Sequence, residues 1–243
     1  LIDCGNKEAK LTAETGGLNA MVVDSTALCE QVTRDVIDGA FKSAGQRCSA
    51  LKILLLQEDC YDEALSMIKG AMREIGFGDP KYLDIECGPV INLAAQIKLQ
   101  NYIDKARQNN QIIYELDSQS KNGYFVSPTL IRIESMDEIN EEFFGPILHV
   151  LSYKNDDLEK TIDQLNSKGF GLTFGIHSRI EKKVKDISLR VNAGNIYINR
   201  NQIGAVVGSQ PFGGEGLSGT GPKAGGPNSL HGYSQNMLCS EIS

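Results

Sequence analysis

The sequence predicts an α/β domain, a mostly parallel sheet with flanking helices. Apolar runs of strand length alternate with longer amphipathic segments, the pattern of βαβ crossovers. The run at 51–56 is apolar apart from Lys52, as befits a strand covered on both faces. No repeat or low-complexity tract breaks the alternation.

Taken in order, Met21-Val22-Val23 forms a short strand. A helix over 27–43 follows, with Val32, Val36, Ile37, Ala40 and Phe41 on one face. The strand 51–56 leads to a helix over 60–74 that gathers Ala64, Leu65, Ile68, Ala71 and Met72. A helix over 93–109 is expected to turn Ile97, Tyr102, Ile103 and Ala106 inward. Strands at 112–114, 130–133 and 147–152 come next, then a helix at 157–166, a strand at 173–177, a helix at 180–189 and a strand at 195–199. The glycine-rich stretch 204–232 reads as a long structured loop anchored by Val206, Val207, Phe212 and Leu217. In parallel sheets functional loops are expected at the carboxyl ends of strands.

A net charge of −7 argues against nucleic acid or an anionic membrane surface as the main partner. No apolar stretch approaches the roughly 20 residues of a spanning helix, and the first residues lack the basic and apolar regions of a signal peptide. The six cysteines, Cys4, Cys29, Cys48, Cys60, Cys87 and Cys239, form no C-x-x-C pair, so neither a metal site nor a disulfide framework is expected. Reduced thiols in a cytoplasmic protein are the expectation. His149 and His177 fall in strands and His231 near the end; none belongs to a Ser-His-Asp order.

Four segments carry the chemistry. Glu14-Thr15-Gly16-Gly17 sets a carboxylate beside a flexible turn. Residues 43–50 put Cys48 at a helix-to-strand junction, next to an Arg47 able to stabilise a thiolate. Residues 141–146 join Glu142 and Phe144 to a Gly-Pro stop. Pro211-Phe212-Gly213-Gly214, with 218–221, is glycine-rich but lacks the strand-then-helix setting of a phosphate cradle. Read singly, these are a solvated turn, a packing cysteine, the end of an acidic turn and a loop.

Their order and spacing, including 34 positions between Glu14 and Cys48 (48 − 14), resemble the aldehyde dehydrogenase superfamily. Within it the chain is similar to the L-glutamate γ-semialdehyde (1-pyrroline-5-carboxylate) dehydrogenases, in particular to that module of the bifunctional bacterial proline utilisation A proteins. The residues behind this are 13–21 (AETGGLNAM), 43–51 (SAGQRCSAL), 199–201 and 204–226, with Gly216 where the wider family often has lysine.

The resemblance implies a catalytic aldehyde dehydrogenase domain ending in the long glycine-rich loop. It makes Cys48 the nucleophile and Glu14 the general base. The Cys48 backbone N–H becomes one oxyanion donor, with a second donor upstream of the chain. Glu142, Phe144 and Thr15 border the NAD site. Ser49, Gly204, Ala205 and Phe212 hold the substrate, with Arg47 and Lys223 as cationic alternatives for its carboxylate. Residues 1–15 then end a preceding nucleotide-binding half, 16–232 form the catalytic domain and 233–243 a tail. Such a fragment is expected to be nearly inactive alone. Further expectations are a homodimer in the full-length protein and FAD only in an upstream proline dehydrogenase domain. Three rival readings stand beside it: a dehydrogenase for another aldehyde, a thiol ester hydrolase using Cys48 and Glu14, and a non-catalytic assembly module.

Overall fold

The structure, a computed structural model, describes residues 11–117, 123–205 and 209–233. A seven-stranded sheet runs through it. Its strands are β1 (Ala20–Val23), β2 (Ile53–Gln57), β3 (Ile112–Glu115), β4 (Thr129–Arg132), β5 (Ile147–Tyr153), β7 (Thr173–His177) and β8 (Asn195–Ile198). Between β5 and β7 in the chain lies β6 (Phe170–Gly171), which pairs with β9 (Glu215–Gly216) as a separate antiparallel ribbon. The main sheet has the order β3-β4-β5-β2-β1-β7-β8, and every pair is parallel except β3 with β4.

Alternation along the central strands sorts side chains between two cores. Met21, Val23, Leu54 and Leu56 face one way, onto α1 (Cys29–Ala40), α2 (Tyr61–Met72) and α3 (Leu93–Gln108). Ala20, Val22, Ile53 and Leu55 face the other, toward α4 (Leu158–Ser167) and α5 (Glu181–Arg190). Central strands covered on both faces explain why 51–56 reads as an almost unbroken apolar run.

Three expectations need correction. Ile97 is 50% exposed, and the buried stripe of α3 is Leu99, Ile103 and Ala106. Its start is set by Asn92, whose side chain accepts from the Ala95 N–H at 2.9 Å. The helix expected to reach 43 ends at Ala40, because Ser43, Ala44 and Gly45 take left-handed backbone angles of +57°, +54° and +62°. Leu217 does not anchor the glycine-rich loop, being 61% exposed. Backbone pairing does so instead, through β6–β9 and through reciprocal bonds between Phe212 and Ala224. Val206 and Val207 lie outside the described residues.

His149 and His177 are buried strand residues, while His231 is exposed. Among the described residues no helix is long and apolar enough to cross a membrane, and no cluster of metal-ligating side chains occurs. The Cys29, Cys48, Cys60 and Cys87 thiols are free.

Candidate active site

Cys48 lies five residues before β2, Glu14 six before β1, and Glu142 five before β5. All three loops therefore meet at the amino ends of adjacent parallel strands, not at the carboxyl ends. The carboxyl ends of β1 and β7 are closed by a polar network. There buried Asp24 accepts from the Thr26 N–H at 2.7 Å and from Ser178, while Asn199 bonds both the N–H and C=O of Ser178.

The turn before Cys48 is held in unusual backbone. Two non-glycine residues in the left-handed region are costly and persist only when their surroundings over-determine them. Here the Ser43 N–H donates to the Glu86 carbonyl, and Gln46 ties the turn to the Pro89 carbonyl at 3.2 Å and the Ile91 N–H at 2.8 Å. Asn19 anchors the far side. Its Nδ2 donates to the carbonyls of Cys48 (2.7 Å) and Ala50 (2.9 Å), and its Oδ1 accepts from the Thr173 N–H.

The resulting Cys48 is an exposed residue, yet burial of its sulfur raises the thiol pKa, and the charges of Glu142 and Glu14 raise it further. The backbone N–H groups of Ser49 and of Cys48 itself oppose that by bonding the sulfur. Arg47 does not play the part expected of it. Its guanidinium reaches back to the Ser43 hydroxyl, at 3.2 and 2.9 Å, and is not among the groups that shift the thiol.

Glu14 is exposed and pairs through its backbone with Gly219. The Thr15 hydroxyl donates to the Leu217 carbonyl and the Thr15 N–H to that of Ser218. The motif is thus stitched to the glycine-rich loop. Gly16 leaves room for the Glu142 carboxylate: a Cβ there would lie 1.7 Å from Glu142 Oε2. The Gly17 N–H also bonds the Glu142 carboxylate, but burial is the larger influence and raises its pKa. Glu142 Oε1 is buried with no hydrogen-bond partner among the described residues. Beside it Phe144 is exposed and borders an open cleft with Gln46, Pro89, Val90 and Ile91. An unpaired buried acceptor next to an exposed aromatic face suits a ligand carrying hydroxyl donors and a planar ring.

Of the remaining expected residues, Ser49 adjoins Cys48 and the others are spread along the return from β8. Gln202 donates to the Thr173 hydroxyl, which donates to the Ser49 carbonyl at 3.5 Å, so the chain is back at the site two residues before Gly204. Ser49 is buried, Gly204 is exposed at a φ of +77° and Ala205 is half-buried. Phe212 is half-buried, and Lys223 donates to the Gly194 carbonyl. Sequence reasoning missed Asn19 and Lys52 as site residues. Lys52 was visible as the one charge in an apolar run, and Asn19 as an amide at the mouth of a buried strand.

Comparison with known proteins shows the family and the fold. The aldehyde dehydrogenase family profile matches residues 2–238. The bifunctional protein PutA of Klebsiella aerogenes is 48% identical over 237 residues, covering 95% of this chain and 18% of that protein. A crystal structure of bifunctional proline utilization A superposes with a TM-score of 0.88 at 48% identity, over 91% of this chain and 23% of the other. A 1-pyrroline-5-carboxylate dehydrogenase from Thermus with bound NAD gives a TM-score of 0.84 at 31% identity, over 91% of this chain and 43% of the other. The chain thus spans about a fifth of the bifunctional relatives it matches.

Proposed function

The chain belongs to the aldehyde dehydrogenase family, and from that premise we propose that it is the cysteine-bearing catalytic part of a longer enzyme oxidising L-glutamate γ-semialdehyde to L-glutamate with NAD, in proline catabolism. The observation that carries this reading is the exposed Cys48, whose thiol feels both Glu14 and Glu142. Similarity to bifunctional PutA and 1-pyrroline-5-carboxylate dehydrogenase supports the choice of aldehyde.

In this reading the Cys48 thiol first loses its proton to solvent, the thiolate adds to the aldehyde carbon, and the carbonyl electron pair moves to oxygen. The Cys48 backbone N–H stabilises the oxyanion so formed. NAD, when bound, supplies the hydride acceptor. Collapse of the oxyanion leaves an acyl thioester on Cys48. Glu14 then takes a proton from water, the hydroxide adds to the thioester carbon, and the carboxylate departs as the thiolate is restored. Glu142, with its unpaired oxygen, holds a ribose hydroxyl, Phe144 lies beside the nicotinamide, and Thr15 borders them. Ser49 and the backbone of Gly204 and Ala205 hold the substrate α-carboxylate, and Phe212 packs its methylenes.

By the same reading residues 1–15 end a nucleotide-binding half, 16–232 are the catalytic domain and 233–243 a tail. The full-length protein is a cytoplasmic homodimer, with FAD in an upstream proline dehydrogenase domain. The test is NADH formation from glutamate semialdehyde by the full-length protein, beside its Cys48→Ser variant and this chain alone. Turnover only in the intact wild type is expected. Ester hydrolysis lost in Cys48→Ser, with no NADH formed by the intact protein, replaces it with a thiol hydrolase.

A further inference from the structure

Lys52 is the one lysine buried to 1% exposure among the described residues, and the mechanism above gives it no task. A buried ammonium persists only where its donors are satisfied. Its Nζ donates to the Gly45 carbonyl at 2.7 Å and to the Gly145 carbonyl at 3.1 Å. Gly45 belongs to the left-handed turn before Cys48, and Gly145 follows Glu142 and Phe144. The two backbones touch, since a Cβ on Gly45 would come within 2.3 Å of the Gly145 oxygen. The ammonium also lies 5.6 Å from the centre of the Phe144 ring and acts on the Glu142 carboxylate.

Lys52 is itself locked. Its N–H donates to the Asn19 carbonyl, and its own carbonyl accepts from the His149 N–H and from His149 Nδ1. Because a carbonyl only accepts, Nδ1 carries the proton and Nε2 accepts from the Tyr102 hydroxyl at 2.8 Å. Tyr102 stacks on Phe143 with ring centres 3.7 Å apart, bracing the same loop from its other side.

We propose that Lys52 is a positioning residue, whose ammonium clasps the Cys48 turn to the Glu142–Gly145 loop through one carbonyl of each and so sets the distance between nucleophile and nicotinamide. This rests on the reading of the site as an aldehyde dehydrogenase centre. Misplacement by about 1 Å costs on the order of 10²-fold in rate, so the effect of removing the clasp is large.

The test compares Lys52→Met and Lys52→Arg in the full-length protein by equilibrium binding of NAD and by the rate of Cys48 alkylation with iodoacetamide. Lys52→Met is expected to weaken NAD binding about tenfold or more and to change the alkylation rate, while Lys52→Arg, which keeps a buried donor cation, recovers most of both. Wild-type values of both in Lys52→Met overturn the proposal, as does a loss that Lys52→Arg leaves unrecovered. If Lys52→Met does not fold, Lys52→Gln decides: too short to span both carbonyls, it loses NAD affinity if the clasp matters, and wild-type affinity overturns it. Wild-type protein that binds no NAD sinks the dehydrogenase reading instead, and the alkylation rates still report on the clasp.

Discussion

Burial and two carboxylates hold the Cys48 thiol above its ordinary range, so the resting site carries a protonated sulfur at neutral pH. The rate of Cys48 alkylation is expected to rise with pH to a midpoint above that of a free thiol. Removing a repelling charge stabilises the thiolate. Glu142→Gln should therefore move the midpoint to lower pH, and an upward move contradicts this electrostatic account. The buried histidines behave in the opposite sense from a pH switch. Burial takes both His149 and His177 down to about 4. Their ring proton resonances are expected to stay in the neutral form from pH 7.5 to 5. An unfolded histidine takes a proton near 6.5. Each therefore contributes stability that is complete above pH 6.5 and is lost as pH falls toward 4, by about 3 kcal/mol at the limit. Resonances that titrate near 6.5 would show that these rings are not sealed in the fold.

Two short loops carry the strain and the close approaches at the element scale. Gly45 has a φ of +62° and sits against the Gly145 carbonyl. Gly45→Ala adds a side chain where neither conformation nor space admits one. It is expected to cost roughly 1–3 kcal/mol, measured as a lower unfolding midpoint, and to reduce turnover by displacing Cys48. Gly16→Ala meets the Glu142 carboxylate rather than backbone. That carboxylate can swing away, so the expected result is a raised KM for NAD with a nearly unchanged unfolding midpoint. The reverse pattern, lost stability with unchanged KM, would mean that Glu142 does not serve the cofactor. Both glycines were readable as turn residues. What each turn must avoid was not, because Gly145 lies 100 positions from Gly45 (145 − 45) and Glu142 lies 126 from Gly16 (142 − 16).

At the scale of the whole molecule, the sheet has an apolar core on each face, so the chain expressed alone is expected to fold. In the proposed reading its share of the cofactor site is Glu142, Phe144 and the cleft beside them. NAD affinity of the isolated chain should be far weaker than that of the full-length protein, as titration calorimetry would show. Micromolar binding by the chain alone would overturn the proposed division at residues 15–16. The apolar patterns at 51–56, 147–152 and 173–177 announced the parallel sheet, because strands buried on both faces tolerate few polar residues. The strand at 112–114 was read as well, but not its antiparallel pairing, since a half-buried edge carries no mark of direction, and the β6–β9 ribbon, two residues on each side, left no trace.

By itself the sequence determined the alternation of strands and helices, the order of four motifs and, through them, the family. Those properties are local or additive along the chain, so periodicity and spacing carry them. Only the tertiary structure decided that the candidate site opens at the amino ends of β1, β2 and β5, that Arg47 turns to Ser43 instead of the thiol, and that the lone lysine just before β2 ties the Cys48 turn to the loop at Gly145. Each of these depends on which distant groups share a small buried volume. That is set by how the strands stack in register, not by the residues on either side in the chain.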